Sequence, residues 1–378
     1  MTDTLADVAL TFDATAPLAI SDVTLRPLAS LLPDGGVLAL GEPTHGTREA
    51  FELKHRLIRM VAEQGNLRVL AFECGRGPAE LIDAAVRLMD GDVLHALRSQ
   101  GYWCWESREV LALLTWLRDF NALRPLSERV RFVGVDVQRP ERVVERVETH
   151  VTCPDTRTLL RALREGILVP GEDSTRLAQQ LKKLAASTGD KDVRRDALHL
   201  YRHVRVYLDP SNAEGIGLRD RFMAEELLEA LPDDGVTVLW AHNEHAAVND
   251  DFFGSPAMGF VLREALGERY VALGMLFGRG GFRAQAWRAP GRPVRNFEVE
   301  QAEGTYGERL FDSLDGSVLD LRGKRMPAVR RRFVGFLFDQ DVAHARPGAF
   351  EVVRPLTDFD LLAWLPCTTP SQGLANQD

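Results

Sequence analysis

The chain has 378 residues, 45% of them apolar and 27% charged, with a net charge of −9. This composition lies near globular averages, sets disorder aside and leaves material for a large core. A negative charge spread along the sequence argues against a nucleic-acid partner, which would need a basic face, and no run approaches the roughly 20 consecutive apolar residues of a membrane-spanning helix.

The acidic start, with Asp3, Asp7 and Asp13, lacks the basic and then apolar pattern of a secretory signal, and Cys74, Cys104, Cys153 and Cys367 show no CxxC spacing. A cytoplasmic location is expected. Single-sheet organisation over residues 1–378, with one large insertion, fits the chain better than two separate domains. In chain order, Val37 to Leu40 reads as a buried strand that runs into Gly41-Glu42-Pro43-Thr44-His45-Gly46. An amphipathic helix follows over Thr47 to Gln64, with Phe51, Leu53, Leu57, Ile58 and Val61 at helical spacing. Leu67 to Phe72 is the second strand and ends in Glu73. Cys74 beside it reads as a buried structural thiol.

Helices are predicted from about Pro78 to Met89 and through Val110, Leu113, Leu114 and Leu117, with the aromatic segment Tyr102-Trp103-Cys104-Trp105-Glu106 between them. Val130 to Val135 is the third strand and runs into Asp136. Residues 141–215 hold many helix formers and little β-type sequence, so they read as a helical insertion placed over the sheet edge as a cap. Strands resume at Val236 to Trp240, Tyr270 to Leu276 and Phe333 to Phe338. Arg330-Arg331-Arg332 beside the last of these reads as a solvated flank. Alternation of strand and helix predicts an α/β fold with a mostly parallel open sheet flanked by helices.

In such a sheet the ligand crevice lies beyond the carboxyl ends of the strands. Glu42, His45, Glu73, Asp136, His242 and His245 all stand at such ends, so they are expected to converge on one site. Glu42 lies three residues before His45 and can fix the tautomer of its imidazole. Glu73 closes an apolar run, where a charge is costly unless paired. Trp240-Ala241-His242-Asn243-Glu244-His245 concentrates two imidazoles, an amide and a carboxylate. Such a set could also hold zinc, although there is no HExxH. His199 and His203, four residues apart, read as an ordinary helix face.

Taken in order, these segments resemble the erythromycin esterase family. The resemblance is carried by Gly41-Glu42-Pro43-Thr44-His45-Gly46-Thr47-Arg48-Glu49 with Phe51-Glu52-Leu53-Lys54-His55-Arg56, and by Ala71-Phe72-Glu73 and Tyr102 to Glu106. Gly134-Val135-Asp136-Val137-Gln138, Arg219-Asp220 and Trp240 to His245 continue it, with a weaker echo at Asp358 to Leu362.

The resemblance implies a hydrolase that opens the lactone ring of macrolide antibiotics by adding water, without a required metal or cofactor and without a serine nucleophile. The absence of a GxSxG elbow agrees with the last point. Carried onto this chain, it makes His45 the general base, with Glu42 and Glu73 holding the imidazole or the water. His242 or His245, with Arg219, would stabilise the oxyanion or protonate the leaving alkoxide. Trp103, Trp105, Asp136 and Arg56 are the expected substrate-binding residues, and the expected partner is a small natural-product-like molecule. The oligomeric state is not legible in the sequence. Two alternatives stay open: a metal-dependent hydrolase, and a biosynthetic tailoring enzyme that moves protons or an acyl group. Substrate choice would rest on the insertion, with its polar turn Pro170 to Ser174.

Overall fold

The computed structural model describes residues 8–374 except 32, 34, 213–214, 302–306, 312–313 and 347. Asp3 and Asp7 of the acidic start lie outside the described residues. The strands are β1 (Val8–Phe12), β2 (Gly36–Leu40), β3 (Leu67–Gly75), β4 (Arg131–Asp136), β5 (Val236–Trp240), β6 (Tyr270–Ala286), β7 (Val294–Val299), β8 (Gly316–Asp320), β9 (Ala328–Arg332), β10 (Leu337–Phe338), β11 (Glu351–Pro355) and β12 (Leu361–Thr368). Among the described residues, ten of them join one sheet in the order β1-β8-β12-β6-β2-β5-β3-β4, with β7 and β10 on the long end of β6. From β12 to β4 every neighbour is parallel. Antiparallel pairs occur where β1, β8 and β7 join. The α/β fold with a large, mostly parallel sheet is therefore the one the apolar runs predict.

Those runs are apolar because both faces of the sheet are covered. Leu38 and Leu40 of β2, with Leu70, Phe72, Val238 and Trp240, face the helices Arg48–Glu63, Arg76–Val86 and Arg108–Ala122. Val37 and Ala39, with Val69, Ala71, Leu239 and Ala272, face Ile216–Ala230 and Met258–Leu266. The period of two in a strand sends alternate residues to opposite cores.

Between β4 and the helix Ile216–Ala230 stand four helices, Glu141–His150, Pro154–Arg164, Glu172–Ser187 and Lys191–Tyr207. They share an apolar core that includes Val143, Val147, Leu160, Leu177, Leu181 and Leu200. His203 Nδ1 lies 2.8 Å from the Val137 carbonyl just past β4. Arg146 joins Glu80 at 2.6 Å and Asp196 at 2.6 Å. This helical group is thus fastened to the sheet at the end where β4 terminates. Among the described residues no helix is long and apolar enough to cross a membrane.

Phe333 to Phe338 is not a full strand: Leu337–Phe338 pairs with the far end of β6, and Val334 makes an isolated parallel bridge to Thr44. Its aromatics are drawn to different neighbours, Phe333 towards His242 and Phe336 towards Trp103. The place taken in the sheet beside β6 belongs to β12 instead.

Candidate active site

β2 ends at Leu40, and the turn that follows tucks Glu42 entirely out of solvent. Its Oε1 lies 2.7 Å from His45 Nδ1, while Oε2 accepts from Lys54 Nζ and Trp240 Nε1, each at 2.7 Å. Three donors, one cationic, meet the desolvation cost of burying this carboxylate. With Nδ1–H directed at Glu42, the Nε2 lone pair of His45 is the one available to take a proton. A Cβ on Gly46 would stand 2.2 Å from the carbonyl oxygen of Arg283, so only glycine lets the turn seat against β6.

Glu73 closes β3 in a denser knot. Its Oε1 accepts from Arg219 Nη2 at 3.0 Å and lies 3.2 Å from His245 Nε2, and its Oε2 accepts from the backbone N–H of His242 at 2.9 Å. Arg219 also grips Asp136, with Nη2 2.7 Å from Oδ2 and Nε 3.1 Å from Oδ1. Burial pushes the Glu73 carboxyl up, but the facing His245, Arg219 and His45 outweigh it and hold the pKa well below the usual carboxylate range. His245 Nδ1 lies 2.8 Å from Asp220 Oδ1. Burial alone would depress this imidazole; Asp220 and Glu73 overcome that and raise it to about 10. This environment favours the imidazolium form, with Nδ1–H donating to Asp220 and Nε2 flanked by Glu73 at 3.2 Å and Arg219 Nη1 at 3.3 Å, and makes His245 a poor base.

His242 is its opposite. Burial, then the neighbouring His45 and His245, lowers its pKa well below the ordinary imidazole value, so the ring is neutral. Its Nδ1 accepts from the backbone N–H of Glu244 at 3.3 Å, which places the proton on Nε2. That Nε2 is buried without a hydrogen-bond partner among the described residues. The rings of His45 and His242 lie 5.2 Å apart between centroids. One offers a lone pair at Nε2 and the other an N–H at Nε2, an acceptor and a donor side by side.

The profile described as erythromycin esterase matches residues 62–368. The chain belongs to the erythromycin esterase family. Glu73, Asp136, Arg219, His242 and His245 fall inside the matched residues, and the Glu42–His45 turn precedes them. The chain is 24% identical over 303 residues to an erythromycin esterase type II from Escherichia coli, covering 66% of this chain and 71% of that one. Among solved structures, a succinoglycan biosynthesis protein superposes with a TM-score of 0.83 at 18% identity, covering 98% of this chain and 97% of that one. A Bacillus cereus protein gives 0.78 at 21%, covering 99% and 98% of the two chains. A mutant of the erythromycin esterase EreC in its open conformation gives 0.69 at 19%, covering 97% and 99%. These superpositions carry the erythromycin esterase fold and nothing finer.

Six residues expected at the site of this family member therefore meet there: Glu42, His45, Glu73, Arg219, His242 and His245, with Asp136 bound to Arg219. Trp105 is buried edge-on to His45, centroids 6.0 Å apart, and packs on Phe72 at 5.4 Å. Trp103 is half-buried between Phe336, at 5.2 Å, and the Arg283 guanidinium, at 5.5 Å. Arg56 must be corrected. Its Nε donates to the Ile20 carbonyl at 2.7 Å and its guanidinium pairs with Asp22, so it braces the chain ahead of β2. Two residues along a helix turn the side chain by about 200°, and it is Lys54 that faces the site.

Arg331 also departs from expectation. It is wholly buried and clamps Glu244, with Nη2 to Oε2 at 3.0 Å and Nε to Oε1 at 3.2 Å. Glu244 is thus a tether for the turn that carries His242 and His245, as is Asn243, whose amide donates to the Met275 carbonyl at 2.6 Å. Lys54 and Asp220 were not singled out from the sequence. Lys54 left a trace, a lysine on the same helical stripe as Phe51, Leu57, Ile58 and Val61. Cys74 is buried, and its thiol is held protonated by burial and by the nearby Asp136 and Glu73. His199 pairs with Glu226 at 3.1 Å, away from these residues. Among the described residues no group of three His, Cys, Asp or Glu side chains is placed to hold a metal ion.

Proposed function

We propose that the protein hydrolyses an ester or lactone bond in a natural-product-like substrate, of the kind the family name implies, by general acid–base catalysis without a metal. The observation that carries this reading is the pairing of a Glu42-oriented base at His45 with a neutral, unpartnered Nε2–H donor at His242.

In the proposed reaction His45 Nε2 takes a proton from water as its oxygen bonds to the carbonyl carbon. The oxyanion so formed accepts from His242 Nε2–H, a donor fixed before the substrate arrives. When the carbon–oxygen bond to the alkoxide breaks, the proton held on His45 passes to it, leaving acid and alcohol. Glu42 stabilises the imidazolium in between. Glu73, Arg219, Asp136, Asp220 and His245 form a rigid set of alternating charges beneath the two working imidazoles. Each carboxylate there already faces a cation, which supports chemistry without a metal. The four helices after β4 would cover the substrate body.

The test incubates macrolides and simple aryl esters with purified protein, with and without chelator, and reads products by mass spectrometry beside a His45→Asn variant. A gain of one water that survives chelation and vanishes in the variant is expected. Full turnover in the variant would sink the mechanism. Loss on chelation would turn the reading to a metal-dependent hydrolase, and transfer of the acyl group to another acceptor would turn it to a tailoring enzyme.

A further inference from the structure

Beyond the Met258 helix end of the site, residues 252–255 form a tight turn closed by two backbone hydrogen bonds. Phe252 N–H donates to the Ser255 carbonyl at 2.6 Å and Ser255 N–H to that of Phe252 at 3.3 Å. Both central residues have positive φ, 52° at Phe253 and 85° at Gly254. This is the pattern of a type I′ turn, whose first central position favours Asn, Asp or Gly. A bulky aromatic there is a genuine outlier. Phe253 is also 64% exposed, so the position carries backbone strain and solvent-exposed apolar surface together. Neither is explained by packing, and both features concentrate where a chain meets a ligand.

Its surroundings say which ligand. Phe253 lies 4.8 Å from Phe252 and 6.1 Å from Phe333 between ring centroids. Phe252 stands edge-on to His245 at 5.4 Å, and Phe333 edge-on to His242 at 5.2 Å. The three rings make a continuous apolar ledge from solvent to the two imidazoles, ending at the ring of His242, whose Nε2 has no hydrogen-bond partner among the described residues. The turn is seated firmly. A Cβ on Gly217, two residues before Arg219, would stand 2.0 Å from the Ser255 Cβ, so Ser255 docks directly on that helix. The site's cations, Lys54, Arg219 and His245, are already bound to carboxylates, which leaves little to attract an anionic group.

We infer that Phe253, with Phe252 and Phe333, is the subsite that receives an uncharged, bulky apolar group directly attached to the reacting carbonyl, and so sets specificity. The inference rests on the proposed hydrolase reading for the identity of that carbonyl, but its test does not need turnover. Binding of cyclohexyl methyl ketone and of acetone, unreactive analogues of a bulky and a small ester, is titrated by NMR against the wild-type chain and Phe253→Asn. Asparagine suits the turn, so the variant should fold with an unchanged or higher Tm. The bulky ketone should bind about tenfold more weakly to the variant, with acetone unaffected, and Phe253→Leu should recover most of the difference. Methyl cyclohexanecarboxylate turnover should show the same change in KM at constant kcat.

Equal binding of the bulky ketone to wild type and variant overturns the ledge, whatever the turnover. A wild-type chain that binds the ketone through Phe253 yet hydrolyses no ester keeps the ledge and removes the hydrolase reading.

Discussion

Nδ1 of His45 stands 2.7 Å from Oε1 of Glu42, the two joined across a single buried turn at the end of β2. The carboxylate both selects the tautomer that presents Nε2 and balances the charge that appears when Nε2 takes a proton. Glu42→Gln keeps an acceptor oxygen and removes that charge balance. Its kcat is expected to fall at least about 100-fold, with KM changed only a few-fold. Steady-state kinetics on the best ester of the panel checks this, and a change confined to KM would contradict it.

Lys54 touches no substrate in this scheme; it positions Glu42. Burial depresses its pKa to about 8, with Glu42 offsetting only part of the effect. The ammonium is therefore present below about pH 8 and lost above it. The kcat of the wild-type protein is expected to decline as pH rises past this value, because the amine left facing Glu42 no longer carries the positive charge that balances the carboxylate. In Lys54→Met that limb should disappear and kcat should be low throughout. A full pH profile of both proteins is the measurement, since a merely structural lysine would lower the curve without changing its shape.

Much of this arrangement was legible in the residues. The runs at Val37, Leu67, Val130 and Val236 declared themselves because strands covered on both faces have no polar side, and the ionisable groups closing them were placed by the topology of any parallel sheet. What stayed hidden depended on partners far away in sequence. Leu361–Thr368 fills the slot between β6 and β8, a choice made by long-range pairing that its local sequence does not encode. Arg331 looked solvated because it sits between two other arginines. On a strand, alternate residues face opposite ways, and the buried Glu244 that holds it lies 87 residues earlier in the chain. Arg56 and Lys54 show the same limit on a helix: the motif was visible, but which member turned inward was set by the packing of the whole face.

The charge on His245 links stability to pH. Its pKa rises from an ordinary value near 6.5 to about 10 in the fold, so the folded state holds the proton more tightly. The resulting stabilisation is complete below about pH 6.5 and is lost as pH climbs towards 10, on the order of a few kcal/mol. The stability difference between wild type and His245→Asn, from urea unfolding at a series of pH values, should be largest at the acid end and shrink across that window. A difference that grew with pH would reverse the assignment.

Arg331 and Glu244 offer a sharper test of how the histidine pair is held. Both are out of solvent and doubly hydrogen-bonded, and among the described residues Glu244 has no other cation in its ion pairs, so removing Arg331 leaves it as an uncompensated buried charge. Arg331→Met is expected to lose about 3–5 kcal/mol of unfolding free energy. The double variant Arg331→Met with Glu244→Gln no longer strands a carboxylate, and should therefore be more stable than Arg331→Met alone. The same cycle read in kcat separates anchoring from stability. If Glu244 serves to hold the turn between His242 and His245, the double variant regains stability but stays slow, because the clamp that fixes the two imidazoles against the sheet is still missing.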